Sequence, residues 1–270
     1  MRLTTKIILG IILAINLLSL ILIIGFSFSD MKDADLAGRN DIYISRENTN
    51  IELPSFKTIV IEGSDRYNFY FGSDCNIYFE PIKEEHNTDM ISIPEELKDF
   101  ISIQNSDDTL RVMLDIVAIG EKYRNRSKLD NIISGINIHF NTPKTDIINK
   151  ISMLPLTVKN IEANNINISS SGDINIIDCK THVVNPHLDL PNKKLFIKNS
   201  EVKKLNLDLD NISKWTLENC KIEEAYMTGS EVFRISHGNN DIGTINWAPK
   251  NKNAELNIKI QKEPKRIVIR

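Results

Sequence analysis

Leu195-Phe196-Ile197-Lys198-Asn199-Ser200-Glu201-Val202-Lys203-Lys204-Leu205-Asn206-Leu207 is echoed twenty residues later by Trp215-Thr216-Leu217-Glu218-Asn219-Cys220-Lys221-Ile222-Glu223-Glu224-Ala225-Tyr226-Met227. Apolar residues fall at the same slots in both stretches, and an asparagine closes the first apolar run in each. Working outward, Val158, Ile177, Ile197, Leu217 and His237 serve as anchors separated by 19, 20, 20 and 20 residues. Two residues before them lie Leu156, Asn175, Leu195, Trp215 and Ile235. Five after come Ala163, His182, Val202, Ile222 and Ile242, and ten after come Ile168, His187, Leu207, Met227 and Trp247. A unit of this length with two or three period-two runs is one coil of a stack, because coils laid at ~4.8 Å align like residues into columns. The expected fold is therefore all-β: a right-handed parallel β-helix or β-solenoid with ~20-residue coils. Leu207 is expected in its core, between the Ile168 column and Met227, and Trp215 and Trp247 take inward slots. The post-strand column Asn160, Cys179, Asn199, Asn219 and Asn239 suits turns, since asparagine tolerates left-handed backbone and stacked amides can bond along the axis.

The second rung breaks the pattern. His182, Asn185 and His187 occupy slots that are apolar elsewhere, with Pro186 and Pro191 close by. A one-residue bulge that flips the faces and sends Leu188 and Leu190 inward accounts for this. The rival reading gathers His182, His187 and Asp178 into a polar or metal pocket, but no further ligands complete such a set.

Upstream, residues 41–150 form a less regular β region. Lys57–Glu62, Tyr67–Phe71 and Ile77–Phe79 alternate in strand fashion, with Gly63-Ser64-Asp65 and Gly72-Ser73-Asp74 between them. Pro94–Phe100 is the one body segment with a helical turn, and the charged residues 120–131 read as a loop. Residues 151–270 hold the regular coils. At the other end, residues 1–26 contain an apolar run, Ile7–Phe26, long enough for a transmembrane helix. Arg2 and Lys6 precede it and Asp30, Asp33 and Asp35 follow, so the cationic flank stays in the cytoplasm. A polar tether, 27–40, then leads to the body. An uncleaved anchor and a long signal peptide cut near Ser27 or Ser29 both fit the segment. The expected location is the inner membrane, single-pass, with the body periplasmic.

The chain's 270 residues carry 33 basic and 36 acidic side chains, without the basic excess of a phosphate-tracking protein, so nucleic acid is not an expected partner. Cys75, Cys179 and Cys220 are odd in number and widely spaced, which argues against a disulfide framework or zinc site. Glu84-Glu85 with His86 and the pair Glu223-Glu224 lie in polar runs that read as solvated turns. Lys198, Lys203, Lys204, Asp208, Glu218, Lys221 and Glu223 make a mixed-charge outward face rather than converging acids. No catalytic residue, metal ligand or cofactor is assigned. The partners expected are the membrane, through residues 7–26, and a protein or glycan of the envelope.

Phe56–Gly63 followed by Tyr67–Gly72 resembles the opening hairpin of the head GIN domain family. Leu110-Arg111-Val112 and Ile136–Pro143 resemble its middle section, and Ile166–Ile174 resembles its later strand, Ser-Gly turn, strand unit. The likeness covers roughly residues 50–230. It implies auto-transporter adhesin heads of Bacteroidota, with right-handed β-helical folds and no established catalytic residues. The chain differs in its long apolar lead and in using asparagine where that family's turns are glycine-rich. Function is accordingly expected to be structural or adhesive. The alternatives are an envelope signalling or stress accessory that docks a membrane partner and, further off, a polysaccharide-processing β-helix enzyme.

Overall fold

The computed structural model describes residues 39–44, 47–63, 70–82, 88–123, 130–236, 240–259 and 266–269. The segments 7–26, 84–86 and 237–239 lie outside these, so the apolar span, the Glu84-Glu85-His86 cluster and the His237 anchor are sequence readings alone. Among the described residues no helix is long and apolar enough to cross a membrane.

The body is dominated by strands in two large sheets. The ten-stranded sheet runs, in spatial order, Ile101–Ser106, Thr109–Leu114, Thr58–Gly63, Asp146–Asn149, Glu162–Ser170, Lys180–Leu188, Glu201–Asp208, Lys221–Gly229, Asp241–Pro249 and Arg266–Ile269. The eight-stranded sheet runs Asn48–Glu52, Met90–Pro94, Asn137–Asn141, Asn76–Glu80, Leu156–Lys159, Ile174–Ile177, Lys193–Lys198 and Ile212–Glu218. From residue 156 onward, successive strands of each sheet pair in parallel, one coil to the next. Inward columns follow from this register. Leu156, Ile174, Leu195 and Trp215 form one, and Ile166, Val184, Leu205, Ala225 and Ile245 form another; all are buried. Leu207 is buried beside Met227, and both tryptophans point into the core. Each Leu or Ile so placed contributes on the order of 1.5–3 kcal/mol by leaving water.

The second rung is where the reading of the sequence needs correcting. Val158 pairs with Ile176, not Ile177, and Ile176 pairs with Ile197. One coil is therefore 18 residues long and the next 21. With that shift the inward slots hold Thr181, Val184 and Pro186, all buried, while His182 and His187 face solvent. Leu188 is buried as expected, but Leu190 is exposed. The Lys180–Leu188 strand matches its predecessor without a bulge from Asn165 to Ser170. Length change sits in the connections, so the faces never flip.

Two further expectations change. Thr58–Gly63 lies in the ten-stranded sheet, whereas Tyr70–Phe71 lies in a three-stranded sheet with Arg39–Tyr43 and Asp130–Ser134, so the two do not form a hairpin. The stretch expected as a charged loop opens instead as the end of a helix, Ile116–Tyr123, started by the Asp115 carboxylate, which accepts from the Ala118 N–H at 2.9 Å. Ile116 and Ile119 bury its inner side. Glu95–Phe100 is a 3-10 turn that buries Leu97. The strands Val232–Ser236 and Glu255–Lys259 form a separate parallel pair.

Candidate functional site

The turn after the first strand of each coil needs a left-handed residue, and the sequence supplies Asn160, Asp178, Asn199 and Asn219 with φ of 57°, 54°, 48° and 53°. Asx side chains tolerate this region better than others. Asn199 Nδ2 donates to Asp178 Oδ1 at 3.0 Å, and Asn219 Nδ2 donates to Asn199 Oδ1 at 3.3 Å. The column expected from the sequence is thus present, with Asp178 in the place given to Cys179. Cys179 falls one slot on, in a buried column with Ser200, Cys220 and Asn240. There Ser200 Oγ accepts from the Cys179 N–H at 3.1 Å, and Asn240 Oδ1 accepts from the Cys220 N–H at 2.8 Å. Burial pushes the thiols up, Cys75 to about 11. These cysteines are packing and hydrogen-bonding residues.

A second polar column was not expected. Asn206 Nδ2 donates to Asn185 Oδ1 at 2.6 Å, Asn185 Nδ2 donates to Asn167 Oδ1 at 2.7 Å, and Asn167 donates in turn to Asp146. The off-by-one register had placed Asn185 in the core, which hid its alignment with Asn167 and Asn206.

Beyond the turn, the long strands of the ten-stranded sheet bend. Their ladders skip one position at Asn164, His182, Lys203, Glu223 and Gly243. A Cβ on Gly243 would meet the Glu223 carbonyl oxygen at 2.4 Å, so the last coil approaches its neighbour too closely for any other residue. The bend opens a groove of about 350 Å³ lined by Glu162, Lys180, His182, Glu201, Lys203, Lys221 and Glu223 over Thr181 and Val202. One wall is the paired column Glu162, Lys180, Glu201 and Lys221, which continues beyond the groove to Asp241 and alternates in charge at every coil. Lys180 Nζ lies 3.8 Å from Glu162 Oε1. In-register stacking brings like residues to ~4.8 Å, and a column of one sign would repel itself at each step. Alternation turns repulsion into attraction of about 1 kcal/mol or less per contact, since the side chains are exposed.

The groove gathers His182 but not the other members of the suspected polar set. His187 is exposed on a different part of the strand, with Nε2 3.5 Å from Asp189 Oδ1. Asp178 is held in its turn by Asn199. Glu223 lines the groove, while Glu224 accepts from the Tyr226 hydroxyl at 2.7 Å and Lys204 lies 4.5 Å over the Tyr226 ring. Lys198 pairs with Glu218 at 3.0 Å. Among the described residues no three His, Cys, Asp or Glu side chains are arranged to hold a metal. A further cluster on the eight-stranded sheet also escaped the sequence. His139 and Tyr78 stack with ring centroids 4.6 Å apart, and His139 Nδ1 lies 3.6 Å from Glu80.

No protein-family model matches the sequence, and no curated protein is significantly similar to it. Among solved structures, the chain is similar to a "putative adhesin" from Bacteroides fragilis NCTC 9343, at 14% identity and a TM-score of 0.45, over 84% of this chain and 99% of that one. It is similar to a "putative lipid binding protein" from Parabacteroides distasonis ATCC 8503 at 11% identity, TM-score 0.36, over 86% and 100%. A "putative cell adhesion protein" from Clostridium sporogenes ATCC 15579 aligns at 13% identity, TM-score 0.23, over 83% and 98%. Likeness at this level transfers no function.

Proposed function

We propose that this chain is a membrane-tethered β-solenoid of the cell envelope, non-catalytic, serving as a structural or adhesive module whose partner is an envelope protein or glycan. The observation that carries this reading is the outward surface of the stacked coils. Its amide columns bond one another along the axis, and its charged column alternates in sign from coil to coil, with Lys180 Nζ 3.8 Å from Glu162. Such a surface is rigid, polar and repetitive, and it offers an extended ligand many weak contacts rather than one reactive centre. The mixed-charge groove between Glu162 and Glu223 is where such a ligand would lie. The apolar run Ile7–Phe26, with Arg2 and Lys6 before it, supports tethering with the body outside the cytoplasm.

Two experiments test the reading. A reporter fused after Arg270 should be active only outside the cytoplasm and should stay with the membrane fraction. Full-length protein in detergent should bind isolated envelope material, and Lys180→Ala/Glu201→Ala/Lys221→Ala should lower that binding at least ~10-fold while the protein stays folded, with only a small drop in melting temperature. A cytoplasmic reporter rejects the topology, and unaltered binding by the triple variant rejects the groove as the contact.

One observation favours a docking role near the membrane instead. Tyr43 and Tyr70 are 72% and 60% exposed on two strands of the three-stranded sheet, and Tyr43 closely follows the tether. Exposed aromatics mark contact surfaces more often than solvent faces. Loss of a co-purifying membrane protein on Tyr43→Ser/Tyr70→Ser, with envelope binding intact, would favour the signalling accessory.

A further inference from the structure

The two edges of the ten-stranded sheet are unlike the rest of it. At one edge lies Ile101–Ser106, which pairs only with Thr109–Leu114, and at the other lies Arg266–Ile269, which pairs only with Asp241–Pro249. Among the described residues no strand covers the outer side of either, so alternate N–H and C=O groups of both face outward. Each edge also continues the inward columns. Ile101 and Ile103 sit opposite buried Leu114 and Val112 and are only partly covered. Ile267 and Ile269 sit opposite buried Ile245 and Trp247, yet they are 59% and 73% exposed. Exposed isoleucines in core columns are costly, at roughly 25 cal/mol for each Å² left in water.

The edges match each other. Ile101–Ser106 is antiparallel to its neighbour, while every other neighbouring pair across this sheet is parallel. It therefore runs opposite to Arg266–Ile269, and a second copy continuing the sheet would join the two strands as an antiparallel pair. Setting Ile103 against Ile267 sets Ile101 against Ile269, so all four isoleucines fall on the inner face and Ser102 meets Val268 on the outer one. The charges match as well. Residues 89–115 hold seven acidic and two basic side chains, and residues 251–270 hold six basic and two acidic. The register sets Arg266 opposite Gln104, with the exposed Asp107-Asp108 turn, φ of 51° and 62°, three residues further on.

We propose that the chain associates head to tail with a second copy of itself, the Arg266–Ile269 edge of one adding to the Ile101–Ser106 edge of the next. The contact is heterologous, so each copy keeps one edge free and the association can propagate into short rows. It uses main-chain pairing for affinity, the isoleucines for burial and opposite charge for polarity. Reversed charge at either edge disfavours the tail-to-tail and head-to-head alternatives.

The test is intermolecular disulfide formation in the full-length protein in detergent, where Ser102→Cys and Val268→Cys are prepared separately. The native thiols are buried. Mixing the two preparations under mild oxidation should give a disulfide-linked dimer, while each alone should form no disulfide link. Adding salt from 50 to 500 mM should lower the yield severalfold. Arg266→Glu should reduce it similarly, and Asp107→Lys in the Ser102→Cys partner should restore it. Cross-linking of Val268→Cys with itself would overturn head-to-tail order in favour of tail-to-tail pairing. No cross-link from mixed variants that retain the wild-type melting curve would overturn the association altogether.

Discussion

Residues 156–249 and residues 48–141 build their cores from the same alternation of apolar and polar side chains, but they find their partners at very different distances. In the later region Leu205 pairs with Ala225 and Ala225 with Ile245, a step of twenty each time. In the earlier one Asn76 pairs with Asn137, and Thr58 pairs with both Thr109 and Asp146. The earlier region also includes antiparallel neighbours, a 3-10 turn and a helix. It buries Phe56, Phe79 and Phe140 completely, and Phe79 and Phe140 stack at 4.7 Å. The later region repeats one small solution. The earlier one is a single arrangement in which distant segments must meet before any of them gains a partner.

Substitutions can break that comparison. The largest effect is expected for Leu207→Asp, which places an unpaired carboxylate in an inward column and should cost several kcal/mol. Because coils contact chiefly their neighbours, its loss of hydrogen-exchange protection should centre on residues 180–230 and leave the strands around Phe140 protected. Phe140→Ala should come next, at ~3–5 kcal/mol, and should lower protection across all strands from Asn48 to Asn141 together. Uniform loss of protection over the whole chain in both variants would show one cooperative unit and erase the distinction.

Smaller effects sharpen it. Asn199→Ala loses the ladder bonds and forces alanine into left-handed backbone, so a cost of ~1–2 kcal/mol is expected. Asn199→Gly keeps the backbone and should cost less than half of that, which separates ladder from turn. The smallest effect concerns pH. Burial would raise the Asp210 carboxyl, but hydrogen bonds from Lys250 and from Ser230 outweigh it and hold it below the usual carboxylate range. Hydrogen bonds from Lys250 to Asp208 and Asp210 hold its ammonium above the ordinary lysine range. A depressed carboxyl stabilises the fold above its unfolded pKa of about 3.9 and loses that contribution as pH falls through the folded value. A raised lysine stabilises below its unfolded pKa of about 10.4 and loses that contribution as pH rises through the folded value. The triad is partly exposed, so Lys250→Met should flatten both flanks of a stability–pH curve by no more than ~1 kcal/mol.

How much of this was legible follows from the same contrast. A constant step leaves a mark in the sequence, so the columns through Val202, Leu205, Leu207, Ala225 and Met227 could be read directly. The one irregular coil could not, because a step of 18 and a step of 21 average close to twenty and the anchor slipped from Ile176 to Ile177. That slip put His182, Asn185 and His187 on apolar slots, so the reading called for a bulge that the strand does not contain, and it hid both the Asn167–Asn185–Asn206 ladder and the alternating charges of the groove. The groove needs Lys180, not Thr181, beside Glu162 and Glu201. In the earlier region strands were recognisable one by one, but nothing in Thr58–Gly63 says that its neighbours are Thr109–Leu114 and Asp146–Asn149. The helix Ile116–Tyr123 did leave a signal, an Asp115 cap before Ile116 and Ile119, which Gly120 and the charges after it obscured.

The register of the second coil is the point on which the columns, the groove and the polar ladder all depend, and cysteine accessibility measures it directly. Single substitutions His182→Cys, Val184→Cys, His187→Cys and Leu188→Cys are each treated with a maleimide in the folded protein. The native thiols are buried, with Cys75 pushed up to about 11. The structure predicts fast labelling at positions 182 and 187 and protection at 184 and 188 until the protein unfolds. Protection at 182 and 187 with fast labelling at 184 would contradict this register.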